Sequence, residues 1–141
     1  SRPVSKSEPK VFDKFNVLER LCEQYYVYEG TDNLQPKILK EVKSIVEGLR
    51  SDKKVQKVLE NMLDQTLDNV MARLRGDFPS WKEDDFRLFS FTAAGFSSTT
   101  ISALMGKEKG VVYNRVWRLK GRISSSDSPQ KEFFLSALEK K

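Results

Sequence analysis

Nine side chains crowd one kind of chemistry into the sixteen residues 107–122: Lys107, Lys109, Tyr113, Asn114, Arg115, Trp117, Arg118, Lys120 and Arg122. That chemistry is binding, not bond-making. Six cations stand there against one anion, Glu108, a local balance of +5 that equals the net charge of the whole chain. The remainder of the sequence is neutral, so the positive field belongs mainly to this stretch. Lysine and arginine neutralise phosphates. Asparagine and arginine pair bidentately with the edges of adenine and guanine. Double-stranded DNA is the partner that these residue types fit.

Other chemistries lack their groups. The chain has no histidine and one cysteine, Cys22, which falls on an apolar stripe. It has no Gly-rich phosphate loop. With no nucleophile–base set, the expectation is a non-enzyme with no cofactor, no metal and no small-molecule substrate in this fragment. The acidic run Glu83-Asp84-Asp85 has the charge for a divalent ion, but it also has the place of a helix N-terminus, where carboxylates are favoured. Capping is the simpler reading of it. No apolar run approaches the ~18 residues of a membrane span. A start at Ser1 without methionine reads as a fragment of a longer protein, and a cytoplasmic location is expected for it.

Hydrophobic spacing says what must position the nine residues. On a helical wheel, Val112, Val116, Leu119 and Ile123 fall within about 60° of one another, which makes them the seated face of a helix starting near Glu108 or Lys109. Gly110, Asn114, Trp117, Arg118 and Gly121 lie opposite. Tyr113 and Lys120 flank them on one side, and Val111, Arg115 and Arg122 on the other. Before this helix comes a short one, capped by Ser97 or Ser98, with Ile101, Leu104 and Met105 as its inner side and Gly106 at its end. A short helix, a tight turn and a basic helix make a helix-turn-helix whose second member enters the major groove. Trp117 is the awkward member. Its indole can meet thymine methyls or sugars, or it can be covered by the N-terminal helices or by a second subunit.

The rest of the chain is also helical in pattern. Apolar residues at 3–4 spacing predict a helix over 11–28, a second from Pro36 with a stripe through Ile38, Leu39, Val42, Ile45, Val46 and Leu49, and a third over 55–74, about 30 Å long at 1.5 Å per residue. Ser51 or Asp52 caps the third. Tyr25, Tyr26 and Tyr28 read as packing residues. Ser80 with Glu83 three residues on has capping-box form and opens a helix that runs to Gly95. Ser128-Pro129 opens a last helix with Phe133, Phe134, Ala137 and Leu138 on one face. The expected fold is all-α: a three-helix bundle or coiled-coil stalk over 1–79, for dimerisation or signalling, followed by a four-helix helix-turn-helix domain over 80–141.

Residues 83–123 resemble the LuxR/FixJ-type (GerE-like) helix-turn-helix. Gly95-Phe96-Ser97 stands at its G-L-S, Ile101-Ser102 at its I-A, Met105 at its L and Val111-Val112 at its T-V, with Val116, Leu119 and Ile123 in the later core positions. Ser102 replaces the usual alanine, Arg115 the usual histidine, and the turn reads Lys107-Glu108-Lys109-Gly110. The resemblance implies that Tyr113, Asn114, Trp117 and Arg118 face DNA. Over most of its length the chain is also similar to the C-terminal cytoplasmic region of Bacteroidetes tetratricopeptide-repeat transcriptional regulators, in Lys14-Phe15 to Tyr25-Tyr26, Val70 to Pro79, Asp85 to Leu88, Gly95 to Ser97 and Val112-Tyr113 to Lys120. That likeness implies a DNA-binding regulator of transcription, working as a homodimer, with a missing sensor part anchored in the inner membrane. Two alternatives stand beside it. One is a sigma region-four-like module that binds promoter and RNA polymerase. The other is a protein-interaction module with a degenerate helix-turn-helix.

Overall fold

A computed structural model describes residues 36–139, and these form seven α-helices with no strand among them: α1 (Pro36–Ser51), α2 (Lys53–Thr66), α3 (Val70–Asp77), α4 (Glu83–Ala93), α5 (Ser98–Met105), α6 (Lys109–Ser124) and α7 (Lys131–Ala137). The fold is all-α, as the periodicity predicts. The helix expected over 11–28, with Cys22 and the tyrosine cluster, lies outside the described residues. None of the described helices is long and apolar enough to cross a membrane.

The centre is α4. Phe86, Leu88, Phe89, Ser90 and Phe91 are all buried, so this helix is covered nearly all round. It packs against α2, α3, α5 and α6. Its first turn differs from the expectation that Ser80 caps it with Glu83 as partner. Lys82 holds the N-cap position, and the Asp85 carboxylate accepts from the Lys82 backbone N–H at 3.1 Å. Phe78 to Trp81 form a corner instead, with the Phe78 and Trp81 rings stacked 4.6 Å apart. Glu83, freed from capping, pairs with Arg75 at 2.9 Å, and Arg75 also meets Glu60 at 2.9 Å. The hydrogen bond from Arg75 holds the Glu83 carboxyl below its ordinary value of 4.5. A depressed carboxyl supports the fold above the unfolded value and loses that support as pH falls through the folded one. The contribution is small, because two-thirds of Glu83 is in solvent.

The single helix expected over 55–74 is two helices. Asp68 (φ 54°) and Asn69 (φ 59°) sit in the left-handed region, which Asp and Asn tolerate better than most residues. The turn turns the chain back on itself: Asn69 N–H donates to the Asp64 carbonyl at 2.9 Å, and the Asp64 carboxylate accepts from Met71 N–H at 2.6 Å. Val70, Met71 and Leu74 are thereby sunk completely in the core. A straight helix would have carried them along the α2 axis. Val55, Val58, Leu59, Met62 and Leu63 are the apolar positions expected to face inward from α2; Leu59 and Leu63 are buried, but Val58 is 55% exposed. Of the two offered caps, Asp52 serves α2, accepting from Lys54 N–H at 2.9 Å. Ser128 does hold a cap-like bond, from Gln130 N–H at 3.0 Å, but α7 begins three residues later at Lys131.

One hydrophobic cluster runs from Val46 to Leu138, through every described helix, and the boundary expected at 79/80 falls within it. α1 packs on α5 and α2 on α4. Two arginines tie these layers through orphan carbonyls at helix C-termini. Arg50 Nε donates to the Ala103 carbonyl at 2.7 Å. Arg87 Nη2 lies 3.0 Å from the carbonyls of both Leu49 and Arg50 and 3.5 Å from that of Leu104. A cation suits that place twice over, since the last carbonyls of a helix lack partners and the dipole there is negative. Removing it strands part-buried acceptors. Arg87→Ala should therefore lower unfolding free energy by about 1.5–3 kcal/mol in a urea titration, the range for hydrogen bonds to charged groups. Arg87→Lys should recover only part, because an ammonium cannot span the three carbonyls as the guanidinium fork does. An unchanged midpoint for Arg87→Ala would remove this contact from the account.

Candidate nucleic-acid interface

The seat of α6 matches the wheel. Val112, Leu119 and Ile123 are 2%, 1% and 0% exposed, and Val116 is partly buried against the same core. α4, α5 and α7 all pack on it. Its N-terminal end is set by the turn from α5. Ser97 Oγ accepts from Thr100 N–H at 3.2 Å to start α5. Gly106, at φ 66°, ends it in a conformation that favours glycine. Lys107 N–H then bonds the Ser102 carbonyl at 3.1 Å, and the Ser102 hydroxyl donates to the Lys107 carbonyl. Ser102 thus pins the turn before α6. Gly95, at φ 88°, makes the corresponding corner between α4 and α5.

The outer side of α6 is open. Tyr113 is 70% and Trp117 71% exposed, and Gly110, Asn114, Arg118, Lys120 and Gly121 are exposed with them. No described helix covers Trp117. Lys107 and Lys109 are exposed at the N-terminal end, where the helix dipole adds to their positive charge. Arg115 is half-buried. Among the described residues, none of Lys107, Lys109, Arg115, Arg118 and Lys120 forms an ion pair. Glu108 is the one acid within α6 and its cap, and it makes no side-chain capping bond.

Arg122 differs from the other eight. Its Nη1 lies 3.3 Å from Asp85 Oδ1, and its guanidinium stacks over the Trp81 ring at 4.7 Å. It holds the end of α6 to the start of α4 while keeping 47% of its side chain in solvent. Together with Asp84, Asp85, Leu88, Arg115, Arg118 and Leu119 it lines a cleft of about 270 Å³. The outer face is therefore asymmetric. One flank is an arginine edge bordered by carboxylates. The other, Lys109, Tyr113, Trp117 and Lys120, has no acid along it.

The acidic border is the part that sequence reasoning missed. All three carboxylates of the 83–85 run are engaged: Glu83 with Arg75, Asp84 with Arg87 at 3.1 Å, and Asp85 with the Lys82 N–H and Arg122. Only Asp85 acts as a cap. The signal available was the excess of acids over what one helix start can use, together with arginines at positions 75, 87 and 122 still to be matched. Comparison with protein-family models, with curated proteins and with solved structures returned no match.

The two kinds of arginine should separate by stability. Arg122→Ala should lower unfolding free energy by about 1 kcal/mol through loss of the aromatic stack and the half-exposed pair. Arg118→Ala and Trp117→Ala should stay within about 0.5 kcal/mol of the parent, as for other open surface positions. Thermal unfolding of the three variants checks this, and a loss at Arg118 equal to that at Arg122 would contradict the assignment.

Proposed function

We propose that this chain is the DNA-binding part of a transcription regulator, in which α5 and α6 form the helix-turn-helix and α6 enters the major groove of duplex DNA. The observation that carries the reading is the rotational setting of α6. Burial of Val112, Leu119 and Ile123 leaves Asn114 and Arg118 exposed on the outer face, one turn apart. Those are residue types that read adenine and guanine edges. Lys107, Lys109, Arg115 and Lys120 surround them without internal partners and have the reach of phosphate contacts.

The likeness to LuxR-type regulators supports the same reading and extends it. Two copies would present two α6 helices to half-sites ~34 Å apart, with a sensor region elsewhere in the full-length protein setting their spacing. Contact with RNA polymerase belongs to the alternative, sigma region-four-like reading. A second reading, protein docking, is favoured by one observation, the exposure of Tyr113 and Trp117. Large exposed aromatics mark protein interfaces as readily as DNA interfaces.

Salt separates the two. Anisotropy of a labelled mixed-sequence duplex should report binding at 50 mM salt that weakens as salt rises, with a log–log slope of roughly −3.5 to −4.5 for four or five neutralised phosphates. Lys120→Ala should flatten that slope by about one unit, and Arg118→Ala should cost about 1–3 kcal/mol on a preferred sequence and relax one base preference. Absence of salt-dependent binding at 50 mM would turn the assignment to protein docking.

A further inference from the structure

Trp117 is an expensive residue to leave in water. It is 71% exposed, whereas Trp81, the other tryptophan, is 8% exposed. Its surroundings along α6 are unusual as well. Asn114 lies one turn before it and Gly121 one turn after, with Gly110 two turns before. A Cβ built on Gly110 or Gly121 would meet nothing within 4 Å, and neither glycine has a positive φ. No contact within the described chain calls for glycine there, although glycine weakens a helix relative to alanine. The indole thus stands beside Asn114 on a strip whose other positions carry no side chain. A partner can come close to the backbone and reach both groups at once.

Charge selects the partner. Lys109 and Lys120 run along one side of the strip and Arg115 and Arg118 along the other; Glu108 is the one acid within the helix and its cap, and the nearby Asp84 and Asp85, which border the arginine side, are paired with Arg87 and Arg122. That complements a polyanion. In the major groove of duplex DNA, adenine offers an acceptor and a donor side by side, which a carboxamide matches with two hydrogen bonds. The C5-methyl of thymine is the apolar group displayed there. Residues three apart on a helix lie ~5–6 Å from each other, close enough to reach the same or the adjoining base pair.

We infer that Asn114 and Trp117 act as a pair that reads A·T base pairs, the carboxamide on the adenine edge and the indole face on the thymine methyl. This rests on the DNA-binding reading and adds the base class and the two groups responsible. Tyr113, one turn before Trp117 and between the two lysines, lies toward the sugar–phosphate side.

The first test changes only the DNA, so folding of a variant does not enter it. Duplexes bound by the full chain are selected from a random 20-bp pool, and the best-bound sequence is resynthesised with deoxyuridine in place of thymidine at each position in turn. Selected sites should be enriched in A·T pairs. One or two of the substitutions should weaken binding by about fourfold, the factor that burying one methyl group corresponds to. Trp117→Ala protein should bind thymidine and deoxyuridine duplexes equally, and Asn114→Ala should lose the preference for adenine at the same pair or its neighbour. Equal affinity of the parent protein for both duplexes, or a thymidine preference that survives in Trp117→Ala, would overturn the inference and leave DNA binding standing. Failure to select any duplex would overturn both.

Discussion

Seating of one helix is the constraint on which the arrangement depends. α6 has a single apolar stripe, and Val112, Leu119 and Ile123 are sunk to 2% exposure or less in a socket made by α4, α5 and α7. Fully burying each such side chain stabilises by about 1.5–3 kcal/mol. Crowding cations on the same helix opposes this only weakly, since exposed charges are screened over about 8 Å at physiological salt. Hydrophobic seating therefore decides the rotation of the helix about its axis. A rotation by one residue, about 100°, would bring Arg115 or Arg122 toward the core, and the cost of burying an unpaired charge forbids it. What faces outward is thus fixed by what cannot.

Arginine is used in two ways in this chain. Arg50, Arg75, Arg87 and Arg122 tie one helix to another, through carbonyls at helix ends, through Glu60 and Glu83, or through Asp85 and the Trp81 ring. Arg73 does the same for the turn before α7, donating to Gln130 at 2.5 Å, while Gln130 and Ser128 both donate to Asp77. These pairings give structural meaning to the neutrality of the chain outside 107–122. Among the described residues, part of that charge is spent holding helices together. The cations of α6, Arg122 apart, have no such duty.

How much of this was legible from the sequence varies with the physics behind each feature. Helix existence and the buried face of α6 follow from 3.6-residue periodicity. Gly95 and Gly106 mark their corners because few other residues accept a positive φ. The break after Thr66 was hidden, because Asp68 and Asn69 can continue a helix nearly as well as leave it. What decides is the burial of Val70, Met71 and Leu74, a long-range gain that local propensity does not contain. The cap of α4 was misplaced for a similar reason: Ser80 and Glu83 have the right types, but Arg75 claims Glu83 from another helix. The exposure of Trp117 was undecidable from the sequence, since a tryptophan on a wheel's outer face can be covered by any element. The role of Arg122 was missed because its partners, Asp85 and Trp81, are distant in the chain.

The central claim is that the outer face of α6 is a surface for duplex DNA. The most direct test is a titration of ¹⁵N-labelled protein with a mixed-sequence duplex at low salt, followed by amide and indole N–H chemical shifts. The account predicts perturbations concentrated at residues 107–121, strong at Asn114 and at the Trp117 indole N–H, with the Trp81 indole, α2 and α3 unmoved. Perturbations centred on α1 to α3, or none at all at saturating DNA, would contradict it.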